Sequence, residues 1–198
     1  FARLGCNWKE TYMINATLRS DGSSTFASGN RFGYFPSVSA GWTISNEKFM
    51  ESTQGWLDFL KIRASWGQVG HQNIKNYQYL APIKNTNTHY LFGSGFSDAG
   101  AAAQLVTNWG AFPSRLSNPN LTWETSEQTN IGLDARFLDS RLGFNFDFYI
   151  KNTKDWLVEA PILATAGAGA PYINGGSVKN TGVELALTWD DTIGKDFR

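Results

Sequence analysis

Apolar and polar residues alternate one by one along much of this chain. The clearest example is the segment 141–150, RLGFNFDFYI, in which every even-numbered residue is apolar and the odd-numbered ones are Arg, Gly, Asn, Asp and Tyr. A period of two places these sets on opposite faces of a β-strand, and an amphipathic helix does not produce it. The same pattern predicts seven strands, at residues 1–8, 12–19, 37–44, 60–67, 130–138, 141–150 and 183–189.

The connections between these strands are alternately short and long. Turns at Lys9-Glu10 and Asp139-Ser140 join two pairs of strands, and the linker NEKFMESTQGW has room for one helical turn. Pro36 marks the expected start of the third strand, because proline is tolerated only at special positions in a sheet. The remaining connections are long, at 21–36, 70–122 and 152–181. This alternation places all the long loops at one end of an antiparallel sheet.

Short turns at one end and long loops at the other are typical of an outer-membrane β-barrel. In that interpretation the apolar face of each strand contacts lipid and the polar face lines the lumen. The alternative is a soluble antiparallel β-sandwich, a carbohydrate-binding module for example, in which the apolar face is the core. Aromatic residues near strand ends suit the interfacial girdles of a barrel. They are Trp8, Tyr12, Trp42, Trp66, Trp123, Phe137 and Trp189.

Composition supports the barrel more than the sandwich. Charged residues make up 17% of the chain, below the roughly 25% of ordinary soluble domains, whereas aromatic residues reach 15%. The 17 Lys and Arg balance the 17 Asp and Glu, so the chain lacks the basic excess of a simple nucleic-acid-binding protein. We therefore expect no nucleic-acid partner.

The residues that could carry chemistry do not form a catalytic, cofactor or metal site. Glu124 and Asp134 share a strand face but are separated by roughly 33 Å along an extended chain, too far for a glycosidase pair. Glu127 lies near a strand end, where water or other rim residues would surround it. His71 and His89 lack the spacing of a metal-binding motif. We therefore do not expect an enzyme.

The long loops contain many aromatic side chains among Asn, Thr, Ser and Gly. Aromatic faces beside amides and hydroxyls suit sugar rings, and they equally suit a partner protein or packing within the loop itself. These three alternatives stay open. The candidates in the second long loop are Tyr77, Tyr79, Tyr90, Phe92, Phe96, Trp109 and Phe112, and those in the third are Trp156, Tyr172 and Asn174.

Six segments resemble the SusC/RagA class of TonB-dependent outer-membrane transporters. Their order and spacing match the family, and the resemblance extends over almost the whole chain. The segments are TLRSDGSS (17–24), RFGYFPSVSAGW (31–42), LKIRASWGQVG (60–70), NPNLTWE (118–124), EQTNIGLD (127–134) and NTGVEL (180–185).

The resemblance implies an all-β, antiparallel transmembrane barrel with long extracellular loops, in the outer membrane of a Gram-negative bacterium. Plugged barrels of this kind have about 22 strands, so residues 1–198 are expected to supply about seven of them, with the plug domain and TonB box outside this sequence. The implied partners are a SusD-like surface lipoprotein, TonB and outer-membrane lipid. The implied cargo is an oligosaccharide first and a peptide second.

Overall fold

A computed structural model of the chain describes residues 1–53, 55–86, 88–92 and 106–191. Seven long strands in this part form one antiparallel sheet, in the spatial order β1-β2-β3-β4-β9-β10-β13. Their bounds are β1 Ala2–Trp8, β2 Tyr12–Gly22, β3 Phe32–Thr43, β4 Leu57–His71, β9 Glu124–Phe137, β10 Leu142–Lys154 and β13 Val178–Trp189. The six shorter strands are β5 Ile83–Lys84, β6 His89–Phe92, β7 Val106–Trp109, β8 Phe112–Pro113, β11 Leu157–Glu159 and β12 Tyr172–Asn174.

All seven predicted strands are confirmed, and most of them are longer than predicted at the long-loop end. β4 continues to His71, which pairs with Glu124 of β9. The alternation is weak there because polar residues occupy both faces. The prediction that Pro36 starts a strand was wrong, since β3 begins at Phe32. Pro36 pairs with Leu18 of β2, whereas the pairing of β3 with β4 begins only at Ser37. The N–H that proline lacks is therefore not needed for pairing with β4.

The predicted difference between the two ends of the sheet is confirmed. At the short-turn end, Lys9 and Glu10 have φ of 52° and 56°, and residues 138–140 form a second tight turn with positive φ. Two 3₁₀ segments, Ile44–Asn46 and Lys48–Thr53, connect β3 to β4 at the same end. Among the described residues, no helix is both long and apolar enough to cross a membrane.

One face of the sheet is apolar and exposed. Leu185 is 63% exposed and Phe146, in the middle of β10, is 36% exposed. In the described part of the chain no second sheet packs over this face, because the remaining strands form only three two-stranded sheets. A β-sandwich would bury the Phe146 stripe between two sheets, so the soluble sandwich is the wrong interpretation.

Aromatic side chains border the apolar face at the short-turn end. Trp8, Tyr12 and Trp42 stack in a row, and Trp56 stacks on Phe137 with ring centroids 5.9 Å apart. Because Trp56 precedes β4, its place in this border could not be read from strand alternation. These rings are arranged as an interfacial girdle requires.

A candidate binding surface formed by three loops and the polar face

The polar face carries an ion-pair network that crosses three strands. The guanidinium of Arg63 on β4 binds Asp134 on β9, Nε to Oδ2, at 3.1 Å, and Asp147 on β10, Nη2 to Oδ2, at 2.6 Å. Gly132 lies beneath the crossing side chain, and a Cβ built there would be 2.6 Å from Cζ of Arg63. Glycine at this position therefore lets arginine reach across β9.

Asn145 extends the network along β10. Its Nδ2 donates to Oδ1 of Asp134 at 2.7 Å, and its Oδ1 accepts from Nη1 of Arg136 at 3.1 Å. The sequence singled out Asp134 only as a possible member of a catalytic pair. In the structure its carboxylate is a partner of Arg63 and Asn145, which is the arrangement of a structural ion pair.

Uncharged polar side chains form a band across the middle of the polar face. Asn15, Ser39, Ser65 and Asn130 are in register on four neighbouring strands. Asn130 Nδ2 donates to Ser65 Oγ at 3.4 Å, and Gln128 donates to Asn130 Oδ1 at 2.9 Å. The band lines a hollow of about 520 Å³ on this face, whose lining also includes the charged residues Arg3, Arg19 and Asp21. Amides and hydroxyls on such a surface can exchange hydrogen bonds with an uncharged polar ligand.

A small aromatic core closes the long-loop end of this hollow. Phe26 and Leu121 are fully buried, and Phe35 nearly so. Trp123 packs on Phe26 and Phe35 with ring centroids 5.3 and 5.7 Å away. Trp123 was predicted to lie in an interfacial girdle, and this was wrong. Because Trp123 precedes the start of β9, strand alternation does not determine on which face its side chain lies. In the structure its ring packs against Phe35 on the polar face.

Three loops leave the sheet at this end: loop A (residues 23–31), loop B (72–123) and loop C (155–177). Loop A is fastened to loop B by Asn30, whose Nδ2 donates to the carbonyls of Pro119 and Leu121 at 3.3 and 3.4 Å. The aromatic core lies beside this contact. The end of loop B therefore has a fixed position relative to loop A.

Loops B and C are fastened by two asparagines. Oδ1 of Asn174 accepts from the N–H of Thr122 at 2.8 Å, while its Nδ2 donates to the carbonyls of Thr122 and Asp155 at 2.9 and 3.0 Å. Asn118 Nδ2 donates to the carbonyl of Tyr172 at 2.8 Å. The backbone of Gly169 also pairs with Ser114 and Leu116 at 3.0 Å each. The two loops thus form one hydrogen-bonded unit.

Arg115 organises the interior of loop B. Its guanidinium donates to the carbonyls of Leu80 and Tyr77, each at 3.0 Å, and to Oε1 of the buried Gln78. Sequence reasoning missed Arg115 and Asn118. Asn118 has a local signal, since its Oδ1 accepts from the N–H of Asn120 at 3.2 Å in an Asx turn typical of an Asn-Pro-Asn sequence. Arg115 has none, because its partners lie 35 to 38 residues away.

The predicted aromatic candidates lie partly within this unit. The rings of Tyr77 and Tyr79 meet edge to face at 6.4 Å. The Tyr172 hydroxyl donates a hydrogen bond to Glu159, and this bond raises the pKa of the phenol. Burial and the negative charge of Glu159 also raise this pKa, whereas the positive charge of Arg115 lowers it. Tyr77 and Trp109 are 51% and 70% exposed. The side chains of Tyr90 and Phe92, and the whole of Phe96, lie outside the described residues.

Asn174→Asp is expected to separate loops B and C. The substitution keeps an oxygen for the Thr122 N–H but turns a second oxygen toward the Thr122 and Asp155 carbonyls, where the amide had donated. Leaving such groups unpaired costs about 1–3 kcal/mol, so amide hydrogen exchange around Thr122 and in loop C should accelerate about 5- to 140-fold. Asn73→Asp, an exposed change in loop B with the same charge, is the control. Equal exchange in both variants would contradict the role of Asn174.

The whole sequence is similar to known proteins. A family model described as TonB dependent receptor-like, β-barrel, matches residues 1–198. TonB-dependent receptor P39 of Formosa agariphila is 35% identical over 187 residues, which cover 94% of this chain and 16% of that protein. TonB-dependent receptor SusC of Bacteroides thetaiotaomicron is 34% identical over 202 residues, covering 100% of this chain and 19% of that protein. The chain thus spans less than a fifth of these curated relatives.

The chain is also similar to solved structures. The RagAB peptide importer in its closed-closed state matches with a TM-score of 0.78 and 32% identity, covering 98% of this chain and 20% of that one. The siderophore receptor PirA from Pseudomonas aeruginosa matches with a TM-score of 0.53 over 93% of this chain and 29% of that one. At 18% identity, the second match supports the fold alone.

Proposed function

Because this chain belongs to the TonB-dependent receptor-like β-barrel family, we propose that it forms part of the wall of a SusC-like importer in the outer membrane of a Gram-negative bacterium. The observation that carries this proposal is the contrast between the two faces of the seven-stranded sheet. One face exposes Leu185 and Phe146, and the other carries the Arg63 network and the uncharged band. Lipid outside and a polar lumen inside are the surroundings in which both faces are stable.

The proposed cargo is an oligosaccharide, with a peptide as the second candidate. The band formed by Asn15, Ser39, Ser65 and Asn130 carries no charge, and it offers donors and acceptors to sugar hydroxyls. The exposed rings of Tyr77 and Trp109 in loop B offer faces for stacking. The peptide alternative is favoured by the likeness to the RagAB peptide importer.

The proposed partners are a SusD-like surface lipoprotein at the loops and TonB on the periplasmic side. Loops B and C expose Ile83 and Leu163, which are 74% and 79% exposed. Both lie beyond the ends of the long strands and therefore outside the lipid-facing band. Large apolar side chains in water are typical of a protein–protein interface. In this mechanism the lipoprotein closes over the cargo, and TonB, driven by the proton-motive force, then displaces the plug.

Deletion of the full-length gene in its host tests this proposal. Growth on an oligosaccharide as the sole carbon source should be lost, whereas growth on the corresponding monosaccharide should be unchanged. Loss of growth on peptides with intact growth on oligosaccharides would establish the second candidate. A deletion strain that grows normally on both would contradict import.

The double variant Tyr77→Ala/Trp109→Ala in the full-length protein is expected to weaken cargo binding about tenfold, since each aromatic face contributes about 0.5–1.5 kcal/mol beyond its buried area. Titration calorimetry with the cargo identified by growth measures the affinity. Phe49→Ala, an exposed ring at the short-turn end, is the control and should leave affinity unchanged. Equal affinities in both variants would exclude these two rings from the cargo site.

A further inference from the structure

A row of stacked aromatic rings lies at the short-turn end of the apolar face. Trp8, Tyr12 and Trp42 are register partners on β1, β2 and β3. Their ring centroids are 5.8 and 6.3 Å apart, with interplanar angles of 26° and 9°. All three side chains are exposed. This row, called the plate below, therefore lies at the border between the apolar face and the short turns, and its ring faces are turned toward one another.

A carboxylate is fixed at one end of this plate. Oε1 of Glu47 accepts two hydrogen bonds, from the Tyr12 hydroxyl at 2.5 Å and from Trp42 Nε1 at 3.2 Å. The N–H of Glu47 donates to the carbonyl of Ile44 at 2.9 Å, and Asn46 Nδ2 donates to the carbonyl of Glu10 at 3.2 Å. These bonds hold the 3₁₀ turn against the neighbouring hairpin. Glu47 is thus held in one position by these hydrogen bonds.

The second oxygen of this carboxylate lacks a partner. Within the described residues, Oε2 of Glu47 makes no hydrogen bond and the carboxylate makes no ion pair. At the other end of the plate, the Lys9 ammonium lies 5.2 Å from the centroid of the Trp8 ring. The plate therefore presents an open anionic acceptor at Glu47 and a cation at Lys9.

We infer that the plate binds the headgroup of a phospholipid that carries a primary ammonium, in the periplasmic leaflet. The ammonium donates an N–H to Oε2 of Glu47 beside the Tyr12 hydroxyl and Trp42 Nε1. Lys9 attracts the phosphates of the same leaflet, and the acyl chains lie along the apolar face. This inference rests on the proposed function, since it requires that face to be in lipid.

Headgroup chemistry gives the inference its specificity. A trimethylammonium headgroup has the same charge as an ethanolamine headgroup but no N–H to donate to Oε2. A glycerol headgroup has no cation. Hydrogen bonds to charged groups are stronger than those between neutral groups, so an ethanolamine lipid should bind about tenfold more tightly than either of the other two.

Native mass spectrometry of the full-length protein, extracted from outer membranes and freed of lipid, tests this preference. The probes are phosphatidylethanolamine, phosphatidylcholine and phosphatidylglycerol with identical acyl chains. Glu47→Gln keeps an Oε1 acceptor for Tyr12 and Trp42 but removes the charge, and it should reduce the preference about five- to tenfold. Glu51→Gln removes the same charge four residues away and should keep the preference.

Equal binding of the three lipids by the wild-type protein, or an unchanged preference in Glu47→Gln, would overturn the inference. The wild-type comparison does not depend on whether a variant folds. Recovery of the protein outside the outer-membrane fraction would overturn the proposed function as well. Recovery in that fraction with no headgroup preference would overturn the lipid site alone.

Discussion

Phe146→Arg in the full-length protein is expected to lower the free energy of unfolding in lipid by about 2–4 kcal/mol. Phe146 lies at the midpoint of the apolar positions of β10, four residues from Leu142 and four from Ile150. Its side chain is exposed on the apolar face, and no second sheet packs over that face in the described part of the chain. At that depth a guanidinium would enter hydrocarbon far from either headgroup region.

Urea titration of the protein folded in lipid vesicles measures this loss. The control is Asn15→Arg, on the polar face in the middle of β2, where the side chain lines a hollow of about 520 Å³. That variant should cost less than about 1 kcal/mol, because the new charge stays in water. Asn145 is unsuitable as the polar-face control because its amide joins Asp134 to Arg136. Equal losses for Phe146→Arg and Asn15→Arg would refute the assignment of the two faces.

The strands and their faces could be predicted because alternation is a local property. One face of β10 is identified by its own sequence alone, through the alternate positions of Phe144, Phe146 and Phe148. Prediction failed where local pattern and burial disagree. Phe35 lies on the polar face of β3 and is nevertheless buried, because loop A brings Phe26 and the end of loop B brings Trp123. The residues next to Phe35 in the sequence therefore do not predict this core.

The candidate site depended on contacts that sequence spacing does not encode. Alternation places Arg63, Asp134 and Asp147 on the polar face, but only the register of β4, β9 and β10 brings them together. The loop contacts are longer in range, since Asn174 and Thr122 are separated by 52 residues. Composition could therefore identify the aromatic-rich loops, whereas the asparagine and arginine contacts that fix their positions required the structure.

Gly132→Val is expected to destabilise the protein by about 1–3 kcal/mol, the usual cost of forcing extra atoms into an occupied space. Strand propensity alone predicts the opposite sign, since valine is favoured over glycine in strands. The reason for the loss is the Arg63 side chain. A Cβ at residue 132 would lie 2.6 Å from Cζ of Arg63 and 2.7 Å from Oδ1 of Asp147, so both groups would have to move from the positions in which they form their ion pair.

A double-mutant cycle isolates this cause. Arg63→Ala removes the guanidinium above residue 132 and frees Asp147 from its ion pair, so that its carboxylate can turn away. Gly132→Val in that background should therefore lose most of its cost, giving a coupling energy of about 1–2 kcal/mol. Gly41→Val is the matched control. Gly41 of β3 pairs with Arg63 of β4. A Cβ there would meet the flexible end of Lys61 at 3.2 Å and Cβ of Met13 at an ordinary contact distance of 3.8 Å, so little change is expected. If the costs of Gly132→Val and Arg63→Ala are additive, the two residues are not coupled. Glycine at position 132 would then not be required for the Arg63 side chain to cross β9.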